Sequence, residues 1–181
     1  MDPRLGGIER ALVVVAVPAA AQTQHKPAAP AKAAAPAGPK ELGKYDDWIA
    51  ATHEESGQTV CYAFVRAKNS TPSLPNRDSV ILTVTERPSG RDAAAISAGF
   101  SYPKGAAVTV QVDTTGLDFY TAQTNAFARD GKAAVAAFQR GDVALARSPG
   151  PREGQLVVDT FSLKGFSAAY AAINKACPAP R

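Results

Sequence analysis

Short segments in which hydrophobic and polar residues alternate make up most of the chain. Alternation with a period of two is typical of β-strands that bury one face. Residues 79–87 (SVILTVTER) and 107–113 (AVTVQVD) show it most clearly, because valine or leucine occupies every second position. Turn-forming sequences such as EESG, PSGR and TTG separate the segments. The pattern predicts seven or eight short strands, at 48–52, 58–66, 79–87, 94–100, 107–113, 117–122, 143–146 and 155–162.

Two segments depart from this period and have the spacing of amphipathic helices. The first covers residues 130–140, with Asp130 at the N-cap position and Gly141 just after its end. In the second, hydrophobic residues from Phe166 to Cys177 repeat at intervals of three and four, which places Cys177 on the buried face. Because no β-α-β rhythm repeats, we predict a mainly β fold, an antiparallel β-sandwich or barrel-like domain with two short helices, one of them C-terminal.

The N-terminal part of the chain has a different composition. Residues 11–21 read ALVVVAVPAAA, an apolar run shorter than the about 20 residues that span a bilayer. Ala19 and Ala21 precede Gln22 in the A-x-A arrangement of a signal-peptide cleavage site, so we expect a periplasmic or secreted protein without a membrane span after cleavage. Alanine and proline dominate the residues that follow. The predicted division is a signal peptide at 1–21, a flexible linker at 22–43, a folded β domain at 44–177 and a tail at 178–181.

The formal charge of +4 says little about the predicted domain. The excess of basic residues lies in the linker and the tail, whereas acidic and basic residues nearly balance between residues 44 and 177. That range contains no basic stripe with interleaved aromatic residues. Nucleic acid is therefore not an expected partner.

The chain contains two cysteines, Cys61 and Cys177. Two cysteines in an exported chain most simply pair with each other. A CxxC redox motif is absent, and a metal site would need more ligands than two distant thiols and His53 supply. We therefore expect a structural disulfide that ties the C-terminal helix to an early strand, and neither a metal nor another cofactor.

Candidates for catalysis are few. His53 is the one histidine of the predicted domain and precedes Glu54 and Glu55. Consecutive residues of a strand or turn point in different directions, so a solvated hairpin end explains the three better than a general base does. The sequence has no GxSxG, HExxH, P-loop or SxxK motif. We predict no catalytic residue and no enzymatic activity, with a hydrolase based on His53 as a less favoured alternative.

Loops are the expected binding surfaces, because partner-contacting residues favour loops on a rigid scaffold. The loops at 69–78 and 147–154 are rich in proline, polar and charged residues, and the turn SYPKG presents an aromatic residue that we expect to be exposed. The predicted partner-contact residues are Tyr102, Lys104, Arg77 and Arg152.

Several short motifs occur together in one order along the chain. Tyr45 and Trp48 precede VCYA at 60–63, RDSVILTVTERP follows a loop, and GFSYPKGAAVTVQVD occupies 99–113. A helix-like run then ends in RGD, and DTFSLKGFSAAYAAINKAC closes the domain. Over about residues 44–177 this arrangement resembles the invasion-associated locus B family of alphaproteobacterial envelope proteins. The resemblance implies an exported, mostly β domain with a conformational disulfide, linked in pathogenic members to host-cell entry, and it carries no set of catalytic residues.

The sequence therefore favours an exported, non-catalytic interaction module of the cell envelope. Its partner would be an unknown envelope or host macromolecule, and an unpaired strand edge could support a homodimer. The main alternative is a carrier that holds a small apolar or lipid ligand inside the β-fold, between strands rich in valine.

Overall fold

The computed structural model describes residues 38–180 as eleven strands and two helices. The predicted signal peptide and residues 22–37 of the predicted linker lie outside the described residues. The strands are β1 (Lys40–Tyr45), β2 (Trp48–Glu55), β3 (Gln58–Arg66), β4 (Asn69–Thr71), β5 (Ile81–Arg87), β6 (Gly90–Ser97), β7 (Ala107–Val112), β8 (Thr115–Ala122), β9 (Asn125–Ala128), β10 (Val143–Pro149) and β11 (Leu156–Ser162). The helices are α1 (Gly131–Phe138) and α2 (Phe166–Ala176).

All strands belong to one antiparallel sheet in the order β1-β2-β3-β5-β6-β9-β8-β7-β10-β11-β4. β4 follows β3 closely in the chain but pairs with β11 at the far edge. The sheet curls to bring its two ends together: the Lys68 amide donates to Thr160 O at 2.8 Å, and Trp48 Nε1 donates to Ser162 O at 3.0 Å. No continuous strand ladder closes the sheet within the described range. The predicted mainly β, barrel-like fold with two short helices is confirmed.

Side chains on the inner face of the sheet pack with both helices into one core. Trp48 and Phe138 contact Phe166 of α2, with ring centroids 4.7 Å and 5.6 Å apart. These three residues, with Phe119 and Phe161, are the largest fully buried aromatic side chains of the described chain. Alternation placed the inward residues correctly: Val108, Val110 and Val112 of β7 are all buried. Aromatic rings therefore occupy much of the space between the sheet and the two helices.

Tight turns explain much of the element order. At the β2–β3 hairpin, Ser56 and Gly57 have φ of 52° and 77°, which suits the right-handed twist of the flanking strands. The Asp130 carboxylate accepts the Ala133 amide at 2.9 Å and caps α1, as predicted. Gly141 does not occupy the first position after the helix, because the C-cap is Gln139.

Three strands were not predicted: β1, β4 and β9. β1 begins at Lys40, within the range assigned to the linker, and pairs with β2. The strand predicted at 94–100 begins earlier, because the hairpin turn is short and Arg87 already pairs with Gly90. No helix among the described residues is long and apolar enough to span a membrane.

Candidate interaction surface

Three aromatic side chains and one isoleucine form a row, called the aromatic strip below, on the outer face of β2 and β3: His53, Tyr62, Phe64 and Ile49. Because Cys61, Ala63 and Val65 of β3 point into the core, the intervening residues must point outward. Ile49 lies directly opposite Phe64 in the strand register. The rings form a row, with Tyr62 stacked on Phe64 at 6.0 Å and His53 edge-on to Tyr62 at 5.4 Å. All four residues are half-buried.

A pocket of about 230 Å³ with a mixed-charge rim opens at the Phe64 end of this strip. Ile49, Phe64 and Val65 supply its apolar lining, and Lys44, Asp46, Asp47, Arg66 and Lys68 supply its charged lining. Lys68 Nζ lies 2.8 Å from Asp47 Oδ2. The hydrogen bond from Lys68, followed by one from Ser162, lowers the pKa of Asp47. The pocket thus has an apolar floor and a rim of both charge signs, and protein–protein contacts likewise have apolar side chains at the centre and polar ones at the edge.

The outward row continues across the sheet beyond the strip. Phe64 pairs with Thr83, Thr83 with Ala95, and Ala95 with Phe127. Phe127 in turn pairs with Tyr120, whose ring centroid lies 5.5 Å away. Tyr120 is 45% exposed and lies 5.7 Å below the Arg129 guanidinium. This second aromatic pair gives a matched comparison site on the same face.

His53 does not join the neighbouring acids in a catalytic arrangement. Glu54 Oε1 accepts the Thr59 hydroxyl at 2.7 Å, and Glu55 Oε2 lies 2.8 Å from Arg87 Nε. The Arg87 hydrogen bond and charge hold the pKa of Glu55 below its usual range. The imidazole instead packs against a tyrosine ring, which identifies His53 as part of the aromatic strip. No three or more His, Cys, Asp or Glu side chains between residues 38 and 180 are grouped to hold a metal.

The four residues predicted to contact a partner all lie in loops at one end of the sheet, where β4, β6 and β10 end and β7 begins. Lys104 and Arg152 are exposed there. Arg77 is not: its side chain is 6% exposed, and it makes a two-pronged ion pair with Asp159 at 2.7 and 2.8 Å. Its Nε also donates to Ala98 O at 2.6 Å. Arg77 was predicted to contact a partner, but in this structure its guanidinium pairs with a buried carboxylate and fastens its own loop.

Tyr102 was expected to be the exposed aromatic residue, and this expectation is wrong. The side chain is half-buried against the core, with its ring edge-on to Phe100 at 5.2 Å. Burial, followed by the nearby Asp159 carboxylate, raises the pKa of Tyr102 to about 12. The turn is on the surface, but the Tyr102 side chain packs inward, near the buried Asp159 carboxylate.

The predicted disulfide between Cys61 and Cys177 is confirmed and anchors α2 to β3. Cys61 is fully buried, whereas Cys177 is half-buried at the end of the helix. Gly165 precedes the helix with φ of 89°, and a Cβ at this position would lie 2.0 Å from Tyr45 O. Covalent and steric constraints therefore hold α2 at both ends.

A polar cluster beside the disulfide connects α2 to the β5–β6 hairpin. Glu86 is fully buried opposite Cys61, and its Oε2 lies 2.6 Å from Arg91 Nε. Arg91 also donates to Cys177 O at 2.7 Å and to Asn174 Oδ1. Glu86 Oε1 is buried without a hydrogen-bond partner in the described structure. Loss of hydration on burial outweighs the Arg91 charge and raises the pKa of Glu86 to about 7.

A tyrosine completes the cluster. The Tyr170 hydroxyl donates to Asp92 Oδ1 at 2.5 Å. Burial, followed by this hydrogen bond, raises the pKa of Tyr170 to about 12. Sequence reasoning missed the cluster, although one signal was present: the alternation that buries Leu82 and Val84 also directs Glu86 inward.

Comparisons with known proteins agree with this architecture. The family described as "Invasion associated locus B (IalB) protein" matches residues 48–174. Among solved structures, the crystal structure of invasion associated protein B from Bartonella henselae superposes with a TM-score of 0.57 at 18% sequence identity. The superposition covers 74% of this chain and 95% of that chain, and at this identity it supports the fold alone. A comparison with curated proteins found no match.

Proposed function

The chain belongs to the invasion associated locus B family, and from that premise we propose that it is an exported, non-catalytic interaction module of the cell envelope. The solved relative bears the name of an invasion associated protein, which favours a role in contacts with other macromolecules. The module resides in the periplasm or is secreted.

Two observations support export. The apolar run at 11–21 and the A-x-A sequence at its end are typical of a secretory signal. The Cys61–Cys177 disulfide fits an oxidising compartment, because cytosolic proteins rarely keep structural disulfides.

In this proposal the aromatic strip and the adjoining pocket form the contact surface. The observation that supports the choice of this surface is the row of half-buried aromatic side chains on the outer face of the sheet. The partner is a protein, because a polyanion would favour a rim of basic residues without the acidic Asp46 and Asp47. Aromatic residues surrounded by polar groups commonly supply most of the binding energy at such contacts. The stapled sheet presents the strip on a rigid surface.

Capture from an envelope extract, and separately from a host-cell surface extract, tests the proposal. The bait is the exported protein, with a Tyr62→Thr/Phe64→Thr variant and a Tyr120→Thr control beside it. Threonine is chosen because it keeps strand propensity while it removes the ring. Unfolding temperatures and disulfide content are measured first, so that only folded variants are compared.

We expect one protein to be captured by the wild type and by the Tyr120→Thr control, and at least about tenfold less by the double variant. Equal capture by all three forms would show that the strip is not the contact surface. A Lys104→Ala/Arg152→Ala variant in the same assay tests the exposed loop residues as a second contact. Absence of any captured protein from both extracts would count against an interaction module.

A further inference from the structure

β1 is the one long strand that lies at an edge of the described sheet. The opposite edge, β4, has three residues and leads into the loop that Arg77 fastens. β1 has six residues and pairs with β2 on one side, so the other side of its backbone faces away from the sheet. An edge of this length can accept another strand.

A β-bulge sets which side chains of β1 share a face. Glu41 pairs with Ala51 and Gly43 pairs with Ala50, so Leu42 is the extra residue. In a regular strand, residues three apart point to opposite faces, but the bulge brings Glu41 and Lys44 to the same outer face. Both are exposed, and neither has an ion-pair partner among residues 38–180.

The sequence KELGKY of β1 is complementary in charge to a second copy of itself. Antiparallel pairing about a two-fold axis between Leu42 and Gly43 places Glu41 opposite Lys44 of the second copy, and the symmetry repeats the pair. Residues that pair across two antiparallel strands lie on the same face of the sheet. The bulge places Glu41 and Lys44 on one face, so they can pair about this axis. Opposite charges directly across an antiparallel pair of strands stabilise the pairing.

The inner side of the same edge also has an unfilled surface. A groove of about 540 Å³ runs between Leu42 and Tyr45 of β1 and the alanine-rich outer side of α2. In a two-fold pair of β1 strands, the α2 helices lie on the same side of the extended sheet, and the two grooves face each other across the axis. The small alanine side chains let the two copies approach closely.

We propose that β1 pairs antiparallel with β1 of a second copy of this chain, forming a symmetric dimer held by two Glu41–Lys44 ion pairs. Lysines and a bulge are also what natural edge strands carry when they stay unpaired. A dimer through β1 predicts that a change of these charges alters the association, whereas an unpaired β1 predicts that it does not.

Charge exchange at β1, followed by sedimentation over about two decades of protein concentration, tests the dimer. The variants are Glu41→Lys, Lys44→Glu and the double exchange Glu41→Lys/Lys44→Glu, with Lys104→Glu as a matched control at an exposed turn far along the chain. In a dimer of either single variant, residues 41 and 44 carry the same charge and face each other at both cross-strand positions. We expect the dissociation constant to rise at least about tenfold in the single variants and to stay within about threefold of wild type in the double exchange and the control.

The decisive sample is an equal mixture of the two single variants. One carries lysine at both positions and the other glutamate at both, so every cross-strand pair in the mixed dimer is attractive, and association should return. A wild type that stays monomeric at every concentration would overturn the proposal. It is overturned equally if the single variants still dimerise, or if their mixture stays monomeric. None of these results depends on the capture experiment for the aromatic strip.

Discussion

The buried Glu86 gives the sharpest quantitative prediction. Its carboxyl group is fully buried, one oxygen has no partner in the described structure, and Arg91 and Asp92 are the charged residues around it. Burial raises its pKa from 4.5 to about 7. At 1.36 kcal/mol per pKa unit, this difference corresponds to about 3 kcal/mol of unfolding free energy.

The sign follows from proton binding. Because the folded state binds this proton more tightly than the unfolded state, the stabilisation is complete below about pH 4.5 and is lost as the pH rises through about 7. The pKa of Tyr170, about 12, keeps that hydroxyl out of this window. The protein should therefore lose stability between mildly acidic and mildly alkaline pH.

Thermal unfolding of the oxidised protein between about pH 5 and about pH 8 measures the effect, with Glu86→Gln and the exposed control Glu153→Gln beside it. Glutamine keeps an oxygen for Arg91 but cannot ionise. Relative to Glu86→Gln, the wild type and the control should lose about 3 kcal/mol across this range, or roughly 10 °C in unfolding temperature. Parallel curves for the wild type and Glu86→Gln would refute the reasoning, whatever the constant offset between them.

Three further predictions concern the anchors of the fold. The disulfide joins residues 116 apart in sequence, so Cys61→Ser/Cys177→Ser should lower the free energy of unfolding by roughly 4–5 kcal/mol, and dithiothreitol should reproduce the loss in the wild type; an unchanged unfolding temperature in both cases would contradict it. The Arg77→Met variant leaves the Asp159 carboxylate buried without its cation, so its free energy of unfolding in urea should fall by about 3–5 kcal/mol. A fall below about 1 kcal/mol would mean that this ion pair does not hold the loop in place. Gly165→Ala should lose at least about 2 kcal/mol in the same assay, because the new methyl group meets a backbone oxygen of β1 at a left-handed φ; wild-type stability would show that the close approach is absent.

Much of the fold could be predicted because local signals agreed with the global structure. Valines at every second position of β7 sit in a sheet that buries one face, so the period was enough to orient them. Asp130 caps α1 through a contact three residues away, which sequence spacing can reveal. The disulfide followed from the cysteine count and the export signal.

The missed features depend on contacts that are distant in sequence. β1 carries charges, a glycine and a bulge, so its period is interrupted, and it is a strand because β2 pairs with it. Arg77 is 82 residues from Asp159, and no local pattern reports that pairing. Tyr102 lies beside a turn, and its burial comes from packing against a core built from residues distant in sequence.

The candidate surface was missed for a related reason. Tyr62 and Phe64 were recognised as strand residues, but their alignment with His53 and Ile49 needs the β2–β3 register. The prediction instead favoured loops, whose charged residues are conspicuous in the sequence. Of the four loop residues predicted to contact a partner, Arg77 is held in an ion pair with Asp159 and Tyr102 is half-buried against the core.

The central claim is that the aromatic strip contacts a protein partner. Its most direct test is photo-crosslinking in the producing cell, with a photoreactive amino acid at Phe64 and, in a separate variant, at Tyr120. The account predicts a crosslinked adduct of one defined mass from position 64, formed under oxidising conditions and absent from position 120. No adduct at position 64, or the same adduct from both positions, would contradict it.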